Sequence, residues 1–61
     1  MIKLIVNYTY QEWDGYKMLD LNRAVILTYK QLSDLDNNSI LTRLKDECGT
    51  WATIIDIKQI D

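Results

Sequence analysis

The sequence predicts an α+β fold: a small antiparallel β-sheet in the order ββαββ, with one short helix packed on one face. Three observations support this prediction. Residues 2–10 alternate between apolar and polar side chains, the dipeptide Asp14-Gly15 favours a tight turn, and Thr28 and Gln31 have the spacing of a helix capping box. With 61 residues, the chain has room for a single domain, residues 1–61.

The first strand is predicted over Ile2–Tyr10, because side chains with a period of two lie alternately on the two faces of a sheet. The residues of its apolar face are Ile2, Leu4, Val6, Tyr8 and Tyr10. A loop over Gln11–Gly15 should close the first hairpin, and Tyr16–Leu21 should form the returning strand.

The segment 22–27 has two interpretations. Arg23 interrupts the alternation, so one interpretation is a bulge near Asn22-Arg23, followed by an extended segment that ends at Leu27. The alternative is one longer helix from Asn22, since several apolar residues downstream also have helical spacing. The β-branched pair Val25-Ile26 favours the strand.

A short helix is predicted to begin at Thr28 and to extend from Tyr29 to about Leu35. The threonine hydroxyl can cap the first turn, and Leu27 and Leu32 have the spacing of a hydrophobic staple. The segment Asp36-Asn37-Asn38 should end this helix, because asparagine tolerates the left-handed backbone conformation.

The rest of the chain predicts a second hairpin, with strands Ser39–Glu47 and Thr50–Ile60 around Cys48-Gly49. One short helix can cover only one face of such a sheet. The residues predicted beneath the helix are Leu4, Val6, Leu19, Leu21, Ile40, Ile55 and Ile57. The apolar residues left on the opposite, uncovered face are Ile5, Leu41, Ala52, Ile54 and Ile60.

Composition narrows the possible chemistry. The chain has no histidine and a single cysteine, Cys48, so neither an internal disulfide nor a zinc site of the usual Cys/His type is expected. Nine acidic and seven basic residues give a net charge of −2, so the chain lacks the excess of basic residues that is typical of a general nucleic-acid binder. No apolar run approaches the length of a membrane span, and residues 1–7 do not resemble a secretory signal, so a cytoplasmic protein is expected.

Candidate sites for catalysis or metal binding are weak. The segment 34–38 resembles the start of a calcium-binding loop, but Ser39 and Lys45 stand where that loop needs glycine and glutamate. Cys48 has no histidine to act as its base, and its neighbours Asp46 and Glu47 are acidic rather than basic. The sequence therefore predicts neither an enzyme nor a bound metal or cofactor.

Aromatic residues concentrate around the first hairpin loop and form the first candidate interaction site, with Tyr10, Trp13 and Tyr16 as its members. Trp13 lies between the carboxylates of Glu12 and Asp14, which would repel phosphate. A protein partner is therefore expected there rather than nucleic acid.

The second candidate interaction site is the uncovered sheet face, where Ile5, Leu41 and Ile54 would form an apolar centre with Arg43 at its charged rim. A homodimer is expected through this face. Association through an edge strand, either Ile2–Tyr10 or Thr50–Ile60, is the other possibility.

In size, absence of catalytic residues and abundance of Ile, Asn, Lys and Asp, the chain resembles the small stand-alone proteins that bacteriophages of AT-rich hosts encode. That resemblance implies a non-catalytic inhibitor, of the anti-defence type, that binds and blocks a host protein in the host cytoplasm. Two alternatives remain: a sponge for a signalling nucleotide that uses Arg23, Arg43 or Lys45, and a small nucleic-acid-binding regulator that uses the first hairpin.

Overall fold

The computed structural model describes residues 1–60 and confirms the α+β class. Over these residues, however, the elements follow the order ββαβ rather than ββαββ. The chain forms β1 (Ile2–Trp13), β2 (Met18–Tyr29), α1 (Asn37–Cys48) and β3 (Thr53–Gln59), with a 3₁₀ turn at Leu32–Asp34 before the helix.

The three strands form one antiparallel sheet in the order β2-β1-β3. The central strand is β1, so the expectation that Ile2–Tyr10 is an edge strand is wrong. The β1–β2 ladder is unbroken from Ile2↔Tyr29 to Trp13↔Met18. The β1–β3 ladder shifts register between Asn7 and Tyr8, and leaves Ile55 as the extra residue of a bulge.

The bulge predicted at Asn22-Arg23 is wrong, because both residues keep regular partners in the β1–β2 ladder. Arg23 is tolerated in the strand because its side chain has an aromatic neighbour. Its guanidinium lies 5.8 Å from the centre of the Tyr10 ring, at a cation–π distance.

The predicted turn at Asp14-Gly15 is confirmed, but the loop comprises residues 14–17 instead of Gln11–Gly15. Asp14 N–H donates to the Lys17 carbonyl at 3.1 Å, and Gly15 adopts φ +104°. A side chain at that φ would be strained, which explains the glycine. The returning strand consequently starts at Met18 rather than at Tyr16.

The helix predicted at Thr28 is wrong, and so is the alternative helix from Asn22. Thr28 is opposite Lys3 in the β1–β2 ladder, and Gln31 is extended at φ −150°, ψ 158°. Burial of Leu27 and Tyr29 on the sheet keeps this segment extended. Tertiary packing therefore overrides a local capping pattern.

Helix α1 occupies the segment predicted as the strand Ser39–Glu47. Asp36 begins the helix instead of ending one: its carboxylate accepts a hydrogen bond from Ser39 N–H at 2.7 Å. Gly49 ends the helix with φ +81°, and its N–H donates to the Lys45 carbonyl. The turn predicted for a second hairpin at Cys48-Gly49 is thus a helix C-terminus, and β3 is shorter than the predicted Thr50–Ile60.

The core lies between α1 and one face of the sheet, which we call the helix-side face. Its buried residues are Leu4, Val6, Tyr8, Leu27, Tyr29, Ile40 and Leu44. Ile40 and Leu44 are four residues apart on α1 and lie on the same helical face, with the partly buried Cys48 one turn further on.

The opposite side of the sheet, which we call the open face, differs from the prediction. Ile5 lies there as expected, opposite Ile26 in the ladder. Ile54 and Ala52, however, pack against the core, while Ile55, predicted beneath the helix, is 60% exposed. The bulge at Ile55 causes this difference, because its extra residue places Ile54 opposite Tyr8, while Ile57 stays opposite Val6 on its predicted face.

Candidate functional site

The half of the β1–β2 hairpin that carries the loop, residues 9–13 and 18–22, extends beyond the rest of the molecule. Within the described residues, β3 pairs with β1 only as far as Thr9, and α1 ends at Cys48. The ladder between β1 and β2 nevertheless continues to Trp13↔Met18. The protein is therefore elongated, with Cα extents of 42 × 17 × 13 Å, and a two-stranded ribbon forms one end.

Three large apolar side chains lie at the end of this ribbon and are exposed. Trp13 is 61% exposed, Tyr16 in the loop is 91% exposed and Met18 is 52% exposed. Trp13 and Met18 are directly opposite each other in the ladder, so their side chains lie on the same face. We call Trp13, Tyr16 and Met18 the hairpin tip.

The loop that carries Tyr16 is held by the side chain of Asp14. The Oδ1 atom of Asp14 accepts hydrogen bonds from the backbone N–H groups of Tyr16 and Lys17, both at 2.8 Å. These bonds, first from Lys17 and then from Tyr16, lower the pKa of the Asp14 carboxyl because they stabilise its ionised form. The carboxylate is thus ionised at neutral pH, the form that accepts both loop hydrogen bonds.

Tyr10 supports the ribbon and is only partly available to a partner. It is half-buried, its ring centre is 5.9 Å from that of Tyr8, and the guanidinium of Arg23 lies over its ring. Hydrogen bonding to Tyr8, followed by the charge of Tyr10, raises the pKa of Arg23. Of the three aromatic residues predicted as an interaction site, Trp13 and Tyr16 reach solvent and Tyr10 anchors the strand behind them.

The charges around the hairpin tip are mainly acidic. Glu12, Asp14 and Asp20 carry negative charge, and Lys17 is the one basic residue among residues 11–20. Asp20 is fixed by the Gln11 side chain, whose Nε2 donates to Oδ1 at 3.1 Å. The site therefore combines exposed aromatic surface with an acidic surround.

A groove of about 390 Å³ lies beside the ribbon, where β3 begins. Met18 and Trp51 contribute its apolar walls and Gln11 and Asp20 its polar ones. The ammonium of Lys45 lies 4.4 Å from the centre of the Trp51 ring, which fixes the orientation of the indole.

The structure does not bring together the four residues that were predicted to form the second interaction site. Leu41 and Ile54 line a shallow hollow between α1 and β3. Ile5 is on the open face of the sheet, and Arg43 lies at the outer edge of β2, where its Nη1 donates to the Thr28 carbonyl at 2.7 Å. These four residues thus occupy three separate surfaces.

The sequence patterns gave Met18 no functional role and placed it inside the returning strand. A loop of four residues after Trp13 makes Met18 its direct partner, and this is the signal that could have found it. Trp51 was assigned to a strand, whereas it precedes β3 and is 61% exposed.

The cations considered for a nucleotide pocket each lie over a different aromatic ring: Arg23 over Tyr10, Arg43 over Tyr29 and Lys45 over Trp51. Among residues 1–60, no cluster of three or more His, Cys, Asp or Glu side chains is arranged to hold a metal ion. In that same part of the chain, the helices are too short or too polar to span a membrane.

Comparison of the chain with known proteins gives no further assignment, since no family model, no curated protein and no solved structure matches it.

Proposed function

We propose that this chain is a non-catalytic protein-binding module that inserts its hairpin tip into a cleft of a larger protein and blocks it. The observation that carries this proposal is the exposure of Trp13, Tyr16 and Met18 on a loop held by Asp14. Large apolar side chains on an ordered projection are typical of binding surfaces.

Aromatic side chains contribute most to the free energy of binding where a rigid backbone holds them. Tryptophan and tyrosine are enriched in binding hot spots, where truncation to alanine commonly lowers the binding free energy by about 2 kcal/mol or more. The two hydrogen bonds to Asp14 fix the loop before binding, so little backbone entropy is lost when Tyr16 docks.

The acidic surround indicates the chemistry of the partner. Carboxylates of Glu12, Asp14 and Asp20 favour an apolar cleft with a basic rim, and they disfavour a nucleic-acid backbone. In keeping with the resemblance to small phage proteins, the proposed target is a host protein and the proposed setting is the host cytoplasm.

The experiment that tests this proposal is affinity capture from bacterial lysate with the tagged chain, followed by mass spectrometry and an assay for nucleic acid. The wild type should retain one host protein in stoichiometric amount. The double variant Trp13→Ala/Tyr16→Ala should lose it, because the variant keeps the fold but removes the two exposed rings. Purified target should then lose its own activity when the chain is added.

Leu32→Ala is the matched control, since Leu32 is 71% exposed and lies outside the hairpin tip, in the 3₁₀ turn after β2. This control should capture the same protein as the wild type. Capture that survives in the double variant would contradict the proposal, and so would captured material that is nucleic acid.

A further inference from the structure

The outer edge of β2 is unusually open for pairing. In an antiparallel ladder, alternate residues direct their backbone N–H and C=O groups to opposite sides of the strand. The Lys3 carbonyl accepts from Ile60 N–H at 2.9 Å, so the backbone groups of Lys3 face β3 and those of its partner Thr28 face away from β1. By the same alternation, Asp20, Asn22, Ala24 and Ile26 also direct their backbone groups outward.

Only one end of this edge is covered within residues 1–60. Arg43 donates to the Thr28 carbonyl, whereas the backbone groups of Asp20, Asn22, Ala24 and Ile26 make no hydrogen bond on this side within that part of the chain. Proteins usually protect edge strands with bulges, charges or short length. The other edge strand, β3, has all three: seven residues, a bulge at Ile55, and the charges of Asp56 and Lys58.

By contrast, β2 is twelve residues long and regular, with Asp20 and Arg23 as its only charged side chains. It contains the four consecutive apolar residues Ala24–Leu27. On the helix-side face it also carries Leu19 and Leu21, which are half-buried but do not belong to the core cluster.

We propose that two copies of this chain pair through their β2 edges, antiparallel, about a two-fold axis at Ala24, to form a continuous six-stranded sheet. This register pairs residues 19–29 of one copy with residues 29–19 of the other. It sets Leu21 opposite Leu27 of the second copy, and Leu19 opposite its Tyr29, so the uncovered leucines meet the core of the second copy.

The charges select this register over its neighbour. An axis at Arg23 would pair as many residues but would set two Arg23 side chains directly opposite each other, which is destabilising. With the axis at Ala24, Asp20 lies opposite Thr28 of the second copy. Arg23 then lies opposite Val25 of the second copy, so no two like charges are directly opposite each other between the copies.

The first test uses the backbone. Ala24→Pro removes an N–H that faces away from β1, so the hairpin can remain intact while the central hydrogen bond between copies is lost. Ala24→Ser is the matched control, because it keeps the N–H. Sedimentation velocity over a concentration series should give twice 7.2 kDa for the wild type and the serine variant, and 7.2 kDa for the proline variant.

The second test is a charge exchange, which decides the matter even if the proline variant does not fold. Ala24→Lys and Ala24→Asp should each raise the dimer Kd by about tenfold or more, because the two-fold axis sets the two new like charges directly opposite each other. An equimolar mixture of the two variants should dimerise again. Each copy carries only one of the two new charges, so such rescue can occur only between copies.

A wild-type chain that sediments as a monomer throughout the series would overturn the proposal. A proline variant that folds and remains dimeric would also overturn it, as would a charge exchange without rescue. The proposal does not depend on the target of the hairpin tip, since the double variant Trp13→Ala/Tyr16→Ala should dimerise like the wild type.

Discussion

The two halves of the β1–β2 hairpin share one ladder but differ in almost everything else. In the packed half, residues 2–8 with 23–29, the side chains of Leu4, Val6 and Tyr8 are at most 4% exposed. In the projecting half, residues 9–13 with 18–22, Trp13 and Met18 are more than half exposed. Strand pairing alone therefore does not create a core; α1 does, and it covers only the packed half.

This difference assigns separate tasks to the two halves. The packed half supplies stability through burial of apolar surface, which dominates the free energy of folding. The projecting half contributes little burial and presents Tyr16 and Trp13 to solvent. Substitutions in the two halves should consequently have opposite profiles, with a loss of stability in one and a loss of binding in the other.

The largest effect is expected for Leu44→Ala, which removes a side chain with 0% exposure between α1 and the sheet. Loss of this contact and the resulting cavity should lower the free energy of unfolding by about 2–5 kcal/mol. In a chain of this size such a loss is most of the stability. Urea denaturation followed by circular dichroism measures it.

Trp13→Ala is the control from the projecting half. Although it removes a larger side chain, it should change the free energy of unfolding by no more than about 0.5 kcal/mol, because the indole is 61% exposed. Similar losses for both variants would contradict the division of the hairpin into two halves.

An intermediate effect is expected for Asp36→Ala, which removes the cap of the helix that covers the packed half. The Ser39 N–H loses its 2.7 Å partner, and the free energy of unfolding should fall by about 1 kcal/mol. Asp34→Ala is the matched control, since it removes a nearby carboxylate that accepts no side-chain hydrogen bond from the described residues. Equal losses for the two variants would show that charge, rather than the cap, is responsible.

The smallest effect concerns pH and the projecting half alone. The pKa of Asp14 is lowered by its bonds to Lys17 and Tyr16, so its contribution to loop order is present at neutral pH and is lost as the pH falls through this lowered value. In an NMR titration, the amide signals of Tyr16 and Lys17 should move together, with a midpoint below that of an aspartate in an unstructured peptide.

Asp14→Asn should abolish this acidic titration of the two amides, while the amides of Leu4 and Val6 in the packed half should not respond to it. A midpoint at or above that of the unstructured peptide would contradict the hydrogen bonds from the loop to the Asp14 carboxylate.

Sequence patterns predict this fold best where a single period dominates. The alternation over residues 2–10 correctly predicted β1, and Asp14-Gly15 correctly predicted the turn. The predictions are wrong over residues 28–48, where two local patterns conflict with the tertiary structure. Thr28 and Gln31 have capping-box spacing but belong to or follow a strand, whereas Asp36, interpreted as the end of a helix, begins one.

The residues of the candidate sites show the same contrast between local patterns, which were predicted correctly, and features that depend on the tertiary structure, which were not. Trp13 and Tyr16 were found because aromatic residues next to a predicted turn tend to be exposed, and a turn is a local feature. Leu41 was placed on the uncovered sheet face because Ser39–Glu47 was taken as a strand, and Ile54 because an unbroken alternation was assumed for the last strand. Residues 39–47 are helical, so Leu41 leaves the sheet, and the bulge at Ile55 turns Ile54 toward the core.

By itself, the sequence determined the α+β class, the first hairpin and the aromatic content of its tip, because period-two patterns and turn dipeptides act over a few neighbouring residues. Only the tertiary structure decided whether residues 37–48 form a strand or a helix. Ile40 and Leu44 fit both a strand with a period of two and a helix with a spacing of four. The helix is adopted because it buries both side chains against Val6 and Tyr8, and this burial depends on residues more than thirty positions away.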